Sequence, residues 1–286
     1  MGDATETRRR VEKLRQEIAA AIPCFPNDRT TRDHMRAKHL GDLLIDYVNW
    51  RSRFVGTRPR IVEIKTDARE SPAWTKHANL IDAFLRKARE GEDLTPHLSF
   101  SAYTRGYTPV SRKQGANSEE RWSDKDFILN TMNFHHFHLG QIDEETGTAD
   151  RTNTLIFALV SRETFEVVAT FDHTVFDNGT EERARLFAVH DQILTRGTAP
   201  GSVVIGSMIT LSGHWMPAVR YAQECTRIVR ELDPYLDDRE KLNELLVGTG
   251  PQPPHNAKWE WAFNHLDLGF LEKRSREFFV LKKGWN

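Results

Sequence analysis

The sequence predicts an α+β protein, with N-terminal helices, a central antiparallel sheet, and a helical C-terminal part carrying a terminal hairpin. Three observations predict it. Apolar residues recur at helical spacing through most of 1–90; short apolar runs divided by polar turns occupy 133–171; helical spacing returns from 180 before two last apolar runs. The corresponding regions are 1–90, 91–180 and 181–286, read either as separate parts or as one continuous domain.

Val11, Leu14, Ile18 and Ala21 set a helix over 8–21, which Pro23 and Pro26 end. Leu40, Leu43, Leu44, Tyr47 and Val48 stripe a second helix over 31–52, with Asp33 near its start. Ile61–Ile64 is a short strand, and a third helix covers 73–89 before Gly91. Residues 91–123 show no strong period, which marks a long loop of the kind that often carries function. A short helix at 124–131 leads into a meander: strand 133–139, polar turn 141–152, strand 154–160, tight turn 161–164, strand 165–171. Residues 180–196 read as a helix and Ser202–Leu211 as a buried strand. Helices over 215–232, stopped by Pro234, and over 237–247 follow. Leu266–Leu271 and Phe278–Lys282 form the terminal hairpin; 258–264 are unassigned.

Composition narrows the classes. With 38% hydrophobic, 10% aromatic and 28% charged residues the chain is of folded type, and a net charge of −1 supplies no global attraction to nucleic acid. No run approaches the roughly twenty apolar residues of a membrane span, and Arg8–Arg10 are followed by no apolar signal core. Cys24 and Cys225 belong to no CxxC or zinc spacing, so a cytoplasmic location is expected, with Cys225 in the core. Gly-rich nucleotide loops and the GxSxG elbow are missing; Ser212-Gly213-His214-Trp215 reads as a helix cap, and 233–238 as a turn between helices.

Chemistry concentrates in Asn133-Phe-His-His-Phe-His-Leu-Gly140, where three of twelve histidines fall within four residues. In a strand His136 and His138 share one face with Phe134, about 7 Å apart, while His135, Phe137 and Leu139 share the other. Imidazoles titrate near neutrality, so such a pair supplies a general base and a general acid without a metal. His173, at the end of the third strand, joins them if the strands bring it near. The alternative is a satisfied core histidine beside a solvated one. A divalent transition metal on His136, His138 and His173 is a second chemical reading, with no HExxH or carboxylate-rich motif beside it. Arg105 and Arg112, with Tyr103 and Tyr107 in the long loop, suit phosphate and stacked bases. Arg51, Arg53, Arg58 and Arg60 crowd another stretch, to bind phosphate or to pair with Asp42, Asp46 or Glu63.

Over 133–176 the order of residues resembles the core of RelE/HigB-like bacterial toxin RNases: His136 and His138 on a strand, Arg151 after a turn, an apolar strand, then a strand ending at His173 with Phe176 beyond. The resemblance implies a small antiparallel sheet that cuts RNA without a metal. The function expected is therefore a metal-independent endoribonuclease, toxin- or defence-related. His136, His138, His173 and Arg151 are its catalytic residues, and His135, Tyr103, Arg105, Tyr107 and Arg112 bind substrate. RNA is the expected partner, with a protein partner or antitoxin also admitted and no membrane. A His-ligated metalloenzyme and a non-catalytic RNA- or protein-binding module are the alternatives.

Overall fold

The computed structural model describes residues 9–108, 126–150, 152–199, 201–206, 208–211, 213–246 and 256–286. It is α+β and divides into two units that share the chain in alternation. One takes the described residues of 1–51, 105–109 and 217–285; the other takes those of 52–104 and 110–216, with Asn286.

The first unit begins with α1 (Arg9–Ala21), α2 (Arg29–Arg36) and α3 (Leu40–Arg51). The continuous helix expected over 31–52 is instead two helices. The first starts at Asp28, whose carboxylate accepts from the Thr31 N–H at 2.8 Å, rather than at Asp33. It stops at Ala37 because Arg15 of α1 donates to the Arg36 and Lys38 carbonyls, satisfying groups that a continued helix would have used itself.

The second unit holds β1 (Ile61–Ile64), then α4 (Thr66–Arg69), α5 (Pro72–Lys76), α6 (Ala78–Glu90) and α7 (Phe100–Thr104). The helix expected over 73–89 is broken at His77, whose backbone leaves the helical region. After α8 (Asp126–Met132), Asn133 turns the chain directly into β2 (Phe134–His138) with φ 59°, a left-handed conformation that asparagine tolerates. β3 (Thr154–Val160) and β4 (Thr164–Asp172) complete the expected meander, and α9 (Glu181–Leu194) starts at its cap Thr180.

Sheet order is β1-β4-β3-β2. The sheet is mixed, not purely antiparallel, because β1 adds to β4 in parallel. Both faces are covered. Phe134, Leu155, Phe157 and Phe171 pack beneath α8 and α9 with Ile128 and Leu186. On the opposite face Phe137 meets Phe84 of α6 and Phe165, with ring centroids 5.1 and 5.5 Å away. Among the described residues of Ser202–Leu211 the expected buried strand does not form: Val203 is 89% and Ile205 79% exposed, and of these residues only Ile209 bridges, to Trp215.

The first unit resumes with α10 (Met216–Leu232) and α11 (Arg239–Leu246). The terminal hairpin forms from β6 (Asp267–Glu272) and β7 (Phe278–Lys282), and the unassigned 258–264 supplies a third strand, β5 (Trp259–Asn264). Buried Asp233 ties this region together, accepting from the Trp261 indole at 2.9 Å and pairing with Arg10 at 3.0 Å. Among the described residues, no helix is long and apolar enough to cross a membrane.

Phe137 is fully buried between two aromatic neighbours. Phe137→Ala is expected to cost about 3–5 kcal/mol, because the cavity has rigid walls. Urea denaturation measures this, and a loss below about 1 kcal/mol would show that α6 collapses into the space.

Candidate active site: a histidine-bearing strand between two helical layers

Alternation along β2 separates the histidines as expected. His136 and His138 lie on the face covered by α8 and α9. His135 and Phe137 stack together on the other, at 6.1 Å and 11° between planes.

His173 comes to the same place as His136 and His138. β3 intervenes between β2 and β4, so direct strand adjacency is not the cause. Past Asp172 the chain enters a 3-10 turn over His173–Phe176, fastened by Asp172 accepting from the Thr174 N–H at 2.8 Å. The turn lies over the sheet face and stacks the His173 ring on His138, with centroids 5.4 Å apart. It also sets Phe176 edge-on to His136 at 5.1 Å. His136 and His138 are 6.4 Å apart, edge to face. His138 is 2% exposed, whereas His136 and His173 are half-buried.

His97 supports this strand from its edge. Its Nδ1–H donates to the His138 carbonyl at 2.9 Å, because a carbonyl can only accept. Nε2 is then the acceptor facing Lys87 Nζ at 3.2 Å. Burial lowers the His97 pKa, opposed by the carbonyl bond and reinforced by the Lys87 charge. The residue pattern marks His97 only as an alternative third metal ligand to His173; its contact with the His138 carbonyl joins positions 41 apart in sequence. His190 of α9, edge-on to Phe134 at 5.8 Å, went unnoticed because it lies within a helical pattern with no neighbouring motif.

The other expected residues are dispersed. Tyr103 belongs to this unit; its hydroxyl donates to the Thr95 carbonyl and its ring meets Phe54 edge-on at 6.0 Å. Arg105 and Tyr107 belong to the other unit. There Arg105 lies over the Phe25 ring at 4.4 Å, and buried Tyr107 contacts His34 Nδ1 at 2.5 Å beneath Lys38. Arg151 and Arg112 lie outside the described residues. Arg183 of α9 is a cation that sequence reasoning passed over: it donates to the Val175 carbonyl at 3.3 Å, within the turn that carries His173.

Among the described residues, no group of three or more His, Cys, Asp or Glu is arranged to hold an ion. No family model, curated protein or solved structure matches the chain.

His135 shows what the opposite face does to an imidazole. It is 3% exposed and its Nε2–H donates to the Ser52 carbonyl at 2.9 Å. Burial pushes its pKa down to about 4; the carbonyl opposes this and the Arg60 charge adds to it. In the unfolded chain the ring takes its proton near the ordinary value of 6.5. Between these values the unfolded chain binds the proton and the folded protein does not. Stability is therefore full above about pH 6.5 and falls as pH drops toward 4, by at most about 1.4 kcal/mol per pH unit for one group. The urea midpoint is expected to fall between about pH 7 and about pH 5, and less steeply in His135→Gln. Equal slopes in the two proteins would mean that His135 is not held neutral.

Proposed function

We propose that the chain is a metal-independent ribonuclease that cleaves by histidine acid–base catalysis, with RNA as its substrate class. The observation that supports this best is the convergence of His136, His138 and His173 on one sheet face, drawn from β2 and from the 3-10 turn that follows β4. Half-buried His136 and His173 are the pair with surface to offer a substrate. Buried His138, in contact with both rings, positions them. One imidazole takes the 2′-hydroxyl proton, and the freed oxygen attacks phosphorus. The 5′-oxygen leaves with a proton from the imidazolium form of the other. The products are a 2′,3′-cyclic phosphate and a 5′-hydroxyl. Half-buried Phe176 beside His136 gives a base a surface to stack on. Charge on the pentavalent phosphorus is assigned to Arg151, as the resemblance implies, and to Arg183, which donates to the Val175 carbonyl in the turn that carries His173. A reducing cytoplasm suits two buried free thiols, and a toxin or defence role follows from the 133–176 resemblance alone.

The reading is tested on single-stranded RNA in the presence of a chelator. Cleavage is expected to persist, to yield cyclic phosphate ends and to spare DNA, which lacks the 2′-hydroxyl. His136→Asn and His173→Asn are each expected to lose about 10²–10⁴-fold in rate. Full activity in both variants, or activity lost to the chelator, would exclude this mechanism.

A further inference from the structure

Arg60 precedes β1 and is 5% exposed. Its guanidinium donates to three backbone carbonyls: Nε to Ser161 at 2.8 Å, and Nη1 to Gly56 at 2.8 Å and Arg58 at 3.1 Å. Nη2 is buried and meets no partner in the protein. Among the described residues no carboxylate pairs with Arg60. The charges that reach it are those of Arg58 and Arg162, both of its own sign, and burial together with these lowers its pKa to about 10. An interior cation held only by neutral carbonyls is costly, because oriented dipoles replace part of its hydration and none of its counter-charge.

A second buried polar atom lies on the same face. His135 pairs with Ala158, and Val160 with Phe165, which pairs with Val62. These residues share a face, and the alternation carried back from Val62 puts Arg60 on it as well. Because His135 Nε2–H is spent on Ser52, Nδ1 is an acceptor, and it too has no partner in the protein. The loop over this end of the sheet is held closely. Gly91 has φ +78°, and a Cβ there would stand 2.4 Å from the Arg58 carbonyl carbon and the Pro59 nitrogen.

We propose that Arg60 and His135 form a binding site for a phosphate group, presented either as inorganic hydrogen phosphate or as the monoanion of a phosphomonoester. The match is chemical. An anionic oxygen accepts from Nη2–H and supplies the missing negative charge, while a P–OH donates to Nδ1 of the neutral imidazole. Sulfate and carboxylate carry the charge but have no proton to donate at neutral pH. Arg58 and Arg162, both half-buried around Arg60, draw the anion toward this end of the sheet. His136 and His173 act on the opposite face, so the site does not rest on the ribonuclease reading.

Calorimetric titration of the whole chain with inorganic phosphate, phenyl phosphate and sulfate tests it. One saturable phosphate per chain is expected, bound at least about tenfold more tightly than sulfate. Arg60→Gln is expected to weaken it about tenfold or more and Arg60→Lys less; His135→Gln should erase the preference over sulfate. Phenyl phosphate competing for the site names the phosphomonoester as ligand, and its exclusion with phosphate still bound names the free ion. Absence of saturable phosphate binding, or sulfate bound equally well by the wild type, overturns the proposal even if Arg60→Gln fails to fold. So does phosphate binding that His173→Asn removes and Arg60→Gln leaves intact, which would put the anion on the ribonuclease face.

Discussion

The second unit depends on one constraint: its mixed sheet is covered on both faces. A strand in such a sheet has no solvent side, so every residue of β2 is assigned to one interior or the other, and Phe134, His135, Phe137 and His138 are each at most 3% exposed. Three histidines in four positions would be unremarkable on an open surface. Between two helical layers each must find a partner, a neighbour or a role. His138 has its carbonyl held by His97 and its ring stacked on His173. His135 is neutral and tied to Ser52.

The same constraint gives the two faces different electrostatics. Beneath α8 and α9 the imidazoles lie among phenylalanines, with His136 and His173 half-buried. On the opposite face burial, with the Arg60 charge adding to it, keeps His135 uncharged, and Arg60 meets no carboxylate among the described residues. The first unit handles a buried charge differently. Asp233 is fully buried, and its Oδ1 accepts from both Arg10 and the Trp261 indole, so its charge has a counter-charge within the protein.

Much of this was legible in the residues. The meander, the terminal hairpin and the helices at 9–21, 181–194 and 216–232 follow from periods of two and 3.6, which are local properties. The division of His136 and His138 from His135 follows from the same alternation. The misreadings share a different cause. The helix over 31–52 is cut by a guanidinium arriving from α1, and Val203, Ile205 and Leu211 of the apolar run 202–211 lie exposed, which apolar composition alone does not foretell. The parallel addition of β1 to β4 joins segments a hundred residues apart, which no window of sequence registers.

The sequence by itself determined the α+β class, most element identities and the face to which each β2 histidine belongs, because each rests on local backbone geometry. Only the tertiary structure decided that His173 meets His138 past an intervening strand, that His97 supports β2, and that Arg60 lies buried with no carboxylate partner among the described residues. Those outcomes are set by which distant segments share a dry interior, where the cost of an unpartnered charge or polar atom depends on neighbours the local sequence does not contain.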